Sequence, residues 1–151
     1  MRASRQRAVA LALCAALLPV QLGAAPTKPP APDPCQQALA FEKRAADGSA
    51  APNDAYAAAR DGLDTNEHCT DAEMHLITKG YLLSMLAISE HALDKGDWRM
   101  HFLQADALLI QCERLKTVPP SVTSDCRLQQ SYNRGLASLW ARESFPSPPP
   151  R

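Results

Sequence analysis

Four cysteines, Cys35, Cys69, Cys112 and Cys126, lie between two proline-rich stretches and constrain the fold more than any other feature of this chain. What they can do depends on the compartment, and the N-terminus points to one. MRASRQR sets Arg2, Arg5 and Arg7 ahead of an uncharged run from Ala8 to Val20, followed by QLGAA. A short basic region, a short apolar core and a small-residue exit predict a cleaved secretory signal peptide over residues 1–25. A membrane span needs about 20 apolar residues, and this run is shorter and carries Pro19 near its end. Gly23 and Ala25 fit the small positions of a cleavage site, with Ala24 as the alternative. Cys14 ends an apolar run, but Leu13 stands where lipidation calls for a small residue, so Cys14 reads as part of the signal core.

An exported domain meets oxidising conditions, where an even number of cysteines in a short chain argues for two disulfides. Four cysteines allow three pairings. No C-x-x-C occurs, so neither a thioredoxin-like redox site nor a zinc ribbon is supported. Residues 26–34, which include PTKPPAPDP, form a proline-rich linker, and FPSPPPR gives residues 144–151 the character of a disordered tail. Between them, residues 35–143 make one domain with a modest core. The chain has 16 basic and 16 acidic residues; three basic ones fall in the signal peptide, leaving 13 against 16. That mildly acidic balance is no footprint for nucleic acid, and no polybasic run suggests a lipid surface. No membrane insertion is expected after signal cleavage.

Helical signals fill the domain, while runs of alternating β-branched residues are missing. Asp33, Pro34 and Gln36 predict a capped helix start, with Gln36 returning as the capping-box partner and a stop at Asp47-Gly48. A short second helix is expected from Asp54 to Asp61, with Gly62 as its stop. The third starts between Asp64 and Thr70, where Asp64 with Glu67 and Thr70 with Glu73 are alternative capping boxes, and stops at Lys95-Gly96. Its Met74, Ile77, Tyr81, Met85 and Ile88 share one face, widened by Leu76, Leu82, Leu83 and Leu86, which predicts a central helix packed on two sides. Asp97 caps a fourth helix with the stripe Trp98, Phe102, Ala105, Leu109 and Cys112. Ser121 opens a fifth, in which Leu128, Tyr132, Leu136 and Leu139 repeat and Trp140 joins near the end.

The expected fold is therefore all-α: about five helices in an antiparallel bundle or short helical-repeat array, stapled by two disulfides. Cys112 ends the fourth helix and Cys126 lies in the first turns of the fifth, so an antiparallel hairpin joins them. Cys35 and Cys69 start the first and third helices, at the same end if a short helix intervenes. We therefore expect the pairs 35–69 and 112–126. The second closes a loop of about 14 residues and contributes roughly 3 kcal/mol on the chain-entropy account.

Residues 85–112, MLAISEHALDKGDWRMHFLQADALLIQC, resemble one tetratricopeptide-type unit. KGDW corresponds to the turn between its two helices, and Ile88, Ser89 and Ala92 suit the apolar and small positions of the first. His101 departs from the pattern, standing where a small alanine is usual; the closing proline comes late, and no second copy recurs at a period of 34. The resemblance implies a helical scaffold that binds a peptide or protein partner, without catalysis.

The densest set of reactive side chains is EHCTDAEMH, residues 67–75. Glu67, Asp71 and His75, or His68, Asp71 and His75, could share a face as metal ligands. Acidic residues also belong at a helix start, where they complement the dipole. Because Cys69 is assigned to a disulfide, we read the segment as a stapled helix start, with no metal or cofactor. His91 and His101 flank KGDW with Asp94 and Asp97 nearby, a candidate acid–base pairing. No G-x-S-x-G or glycine-rich phosphate loop is present. Trp98, Arg99 and Phe102 form the candidate partner-binding surface, since Trp and Arg are enriched at binding hot spots; Trp98 equally suits a plug inside the hairpin. The expected role is an exported, non-catalytic protein–protein interaction module: an adaptor, assembly factor or inhibitor in the periplasm or outside the cell. The alternatives are a small hydrolase using a His–carboxylate pair and a metal-binding protein using His68 and His75.

Overall fold

The computed structural model describes residues 31–143. The expected signal peptide, most of the linker and the proline-rich tail lie outside the described residues. Five α-helices follow one another: α1 (Pro34–Ala45), α2 (Pro52–Asn66), α3 (Ala72–Ala92), α4 (Trp98–Glu113) and α5 (Pro120–Glu143). No strand occurs among the described residues. Cys35 is bonded to Cys69, with Cα atoms 4.6 Å apart, and Cys112 to Cys126, at 6.2 Å, as their places in the helices imply.

Local chemistry accounts for most helix ends. The Asp33 carboxylate caps α1 by accepting from the Cys35 N–H at 3.1 Å, and Pro34 fills the first helical position, where no donor is needed. Gln37, rather than Gln36, folds back: its Nε2 donates to the Pro32 carbonyl at 2.7 Å. α1 stops at Ala45 without a left-handed glycine; Asp47 Oδ1 instead accepts from the Ser49 N–H and Oγ, closing an Asx-type turn. α4 starts at the Asp97 cap, which accepts from the Met100 N–H at 3.2 Å.

Three expected boundaries are corrected by contacts or bonds that spacing does not reveal. α2 does not end at Gly62; it runs on to Asn66. A Cβ at Gly62 would lie 2.7 Å from Leu82 Cδ2 and 2.9 Å from Phe41 Cβ, so this glycine lets α2 press against α1 and α3. Neither expected capping box starts α3. Asp71 does, accepting from the Glu73 and Met74 N–H groups at 3.0 and 2.9 Å. At its other end α3 stops at Ala92 and is closed by a left-handed Asp94, not by Gly96. Asp94 takes φ +50°, its N–H reaches the His91 carbonyl at 3.2 Å, and the Lys95 N–H reaches the Glu90 carbonyl at 3.0 Å, the two bonds of a Schellman motif. Gly96 is left-handed as expected, at φ +73°. It serves a different purpose: a Cβ there would strike the Glu90 carboxyl group.

α3 is central. It shares one core cluster with α1 and α2, built on Ala45, Ala58, Ala59 and Leu86, and its Leu76, Ile77 and Tyr81 pack on a second, built on Leu109, Cys112 and Cys126. Consecutive helices pack on one another, α1 also touches α3, α3 meets α5 lightly, and α1 and α5 stay apart. The expected stripe of α4 is buried from Phe102 to Cys112, with Trp98 half-buried. The expected stripe of α5 is largely uncovered: Leu128, Tyr132 and Leu139 are all more than half exposed, Leu136 and Trp140 are half-buried, and the buried positions are Cys126, Gln130 and Asn133. The disulfide turns Cys126 toward α4, and residues four and seven positions on follow it inward.

Gly62→Ala gains helix propensity of about 1 kcal/mol but inserts a methyl group where none fits, at a typical cost of 1–3 kcal/mol. The expected net effect is a loss of up to about 2 kcal/mol, read as a lower urea midpoint at unchanged slope.

Candidate functional site

Five side chains of EHCTDAEMH take part in structural contacts. Asp71 caps α3, Cys69 is disulfide-bonded, Glu67 pairs with Lys79 at 2.6 Å, and Glu73 accepts from the Thr117 hydroxyl. His75 ties α3 to the end of α2: its Nδ1 meets the Asn66 carbonyl at 2.7 Å, and Asn66 Nδ2 donates to the His75 carbonyl at 2.9 Å. His68 is exposed. Among the described residues, no group of three or more His, Cys, Asp or Glu side chains is placed to hold a metal ion.

The histidines around KGDW take different partners from those expected. His101 Nδ1 donates to Glu90 Oε2 at 2.7 Å, not to Asp94 or Asp97, and Glu90 is only 3% exposed beneath Gly96. This pair locks the α3–α4 turn. The His91 ring stacks on Trp140, with centroids 3.7 Å apart, and meets Trp98 edge-on at 5.4 Å. Trp98 in turn contacts Phe102 and Trp140 edge-on at 6.1 and 5.4 Å, so one aromatic cluster joins the ends of α3 and α5 to the start of α4.

The residues expected to bind a partner therefore divide. Phe102 is buried, Trp98 is half-buried within the cluster, and the exposed Arg99 lays its guanidinium 4.4 Å from the centre of the Trp98 ring. Together they edge a mostly apolar cleft of about 300 Å³ between α4 and α5, which also exposes Leu103 and is flanked by the bidentate Arg134–Asp106 pair.

A larger concave surface lies over α3. Ile77, Tyr81, Met85 and Ile88, the stripe expected to be packed, form a half-buried floor. α1 walls one side through Leu39, Glu42 and Ala45, continued by the connection to α2 and the start of α2, and α5 walls the other through Val122, Asp125, Leu128 and Tyr132. Two hollows, of about 470 and 370 Å³, follow one another along this floor. From Ile77 to Ala92 the floor is about 22 Å long at 1.5 Å per residue. Sequence periodicity identified these residues as apolar but assigned them to the core. The available signal was an excess: α3 is apolar around more of its circumference than its neighbours cover.

Burial pushes the Glu42 carboxyl up from 4.5 to about 7, against the opposing pull of Lys43. Burial also raises the Tyr81 phenol to about 12, helped by the negative charges of Asp125 and Glu42. Comparison with family models, with curated proteins and with solved structures finds no match.

Two predictions follow from this geometry. Trp98→Ala removes the ring that three other aromatic rings contact and should cost about 2–3 kcal/mol, less than a fully buried tryptophan; loss of near-ultraviolet circular dichroism and a lower urea midpoint would register it. For Glu42, only the folded chain holds the proton between pH 4.5 and about 7. Stability present below 4.5 is thus lost as pH rises through about 7. Glu42→Gln should leave the melting temperature unchanged near pH 4.5 and raise it at pH 8, in paired thermal melts.

Proposed function

We propose that the protein is an exported helical interaction module that binds a segment of a partner protein along the groove over α3. One observation carries this reading: a concave surface about four helical turns long, walled on both sides, whose apolar floor the fold covers only in part. Leu128 is 70% exposed and Tyr132 54% exposed on its rim. Large exposed apolar side chains gathered in a concave site mark binding surfaces more often than isolated ones do. Two disulfides in so short a chain suit an exported protein, and no described helix is long and apolar enough to cross a membrane. The resemblance of residues 85–112 to a tetratricopeptide-type hairpin supports a scaffold role of the same kind.

The α4–α5 cleft is the competing surface, and two exposed leucines separate the candidates. Peptides selected from a random display library against the exported, disulfide-bonded protein should lose binding on Leu128→Glu and keep it on Leu103→Glu. Both variants should melt like the parent, since each side chain is already in water. The opposite pattern would move the site to the cleft beside Trp98, Arg99 and Phe102.

A further inference from the structure

The hollow at the Tyr81 end of the groove is apolar along Leu39, Ile77, Val122 and Leu128, yet every charged side chain that lines it is acidic. Glu42 enters from α1 and Asp125 from α5, on opposite walls, and both act electrostatically on Tyr81 between them. Three other carboxylates pair with a lysine or arginine: Glu67 with Lys79, Glu113 with Arg127 and Asp106 with Arg134. The carboxylates of Glu42 and Asp125 take part in no side-chain hydrogen bond or ion pair among the described residues. Lys43, the next residue along α1, is exposed and makes no ion pair with Glu42. A partly buried carboxylate without a partner is unfavourable, and a cation delivered by a ligand would relieve it.

We infer that the groove recognises a partner segment combining aliphatic side chains with a lysine or arginine, whose cation sits between Glu42 and Asp125 over Tyr81. This rests on the reading of the groove as the binding site. The apolar walls accept the aliphatic part, and the long methylene stem of either basic residue suits the same walls while its head reaches the carboxylates. Recognition carries a pH dependence. Lys43 on its own helix and Tyr81 on α3 interact electrostatically with Glu42, the exposed Asp125 lies across the hollow on α5, and the phenol remains protonated throughout the neutral range. A bound cation favours ionised Glu42, so below pH about 7 binding must displace a proton; affinity rises from pH 6 to pH 8.

The test uses display-selected peptides that bind the parent protein and fail to bind Leu128→Glu. These should be enriched in lysine or arginine. Replacing that residue by glutamine in the peptide, or combining Glu42→Gln with Asp125→Asn in the protein, should each weaken binding by about tenfold or more, the scale of one charge-assisted contact. Applied together, the two changes should add little to either alone. Glu42→Gln by itself should flatten the rise in affinity between pH 6 and pH 8. Groove-dependent peptides that lack basic residues, or that bind the carboxamide variant unchanged, would overturn the cation assignment and leave the groove standing. A library that yields only peptides indifferent to Leu128→Glu, or self-association of the protein lost on that substitution, would overturn both.

Discussion

The bond between Cys112 and Cys126 sets the rotation of α5, and the character of the exposed surface follows from it. A helix packed by its hydrophobic stripe alone would roll until its leucines were covered. Here the disulfide holds Cys126 against the end of α4, and the side chains that follow it inward are Gln130 and Asn133. Polar contacts then complete the interface. Asn133 Nδ2 donates to Ser84 Oγ at 2.7 Å, and Arg134 clasps Asp106 with two bonds. Leu128 and Tyr132 are left facing away from α4, so α5 stands as a wall beside α3 rather than a lid over it.

The second disulfide does the same for the opposite wall. Cys35 lies in the first turn of α1 and Cys69 three residues before α3, so α1 is covalently tied beside the start of α3. Ala38, Ala45, Ala58 and Ala59 are buried with little side-chain volume, and Gly62 brings α2 close to α1 and α3. At the far end, the Glu90–His101 bond and the aromatic stack of His91 on Trp140 hold the turn into α4. A groove fixed along both walls and at one end would lose little conformational freedom on taking up the proposed partner segment.

Residues with the most reactive side chains turn out to do structural work, and the least conspicuous ones line the groove. Seven reactive side chains crowd residues 67–75, and five of them cap, cross-link, pair or tether at one helix start. Glu42 drew no attention in a run of helix-forming residues. Its burial, and its lack of a side-chain partner among the described residues, exist only once α1, α3 and α5 are assembled.

Features governed by neighbouring residues were legible along the chain: five helices, the caps at Asp33 and Asp97, the buried face of α4, the left-handed Gly96 and the pairing of the four cysteines. Capping needs only a side chain within three positions, and cysteines at helix ends can meet only where short connections bring those ends together. Where one residue type serves two purposes, spacing could not choose. Glycine ends a helix or permits close packing, and at Gly62 contact with Leu82 and Phe41 shows the second. An apolar stripe states that a face avoids water but not which neighbour covers it. For Ile77, Tyr81, Met85 and Ile88, and for Leu128 and Tyr132, the answer came from the rotation of α5 and the separation of α1 from α5, which are properties of helices in contact and have no counterpart in periodicity.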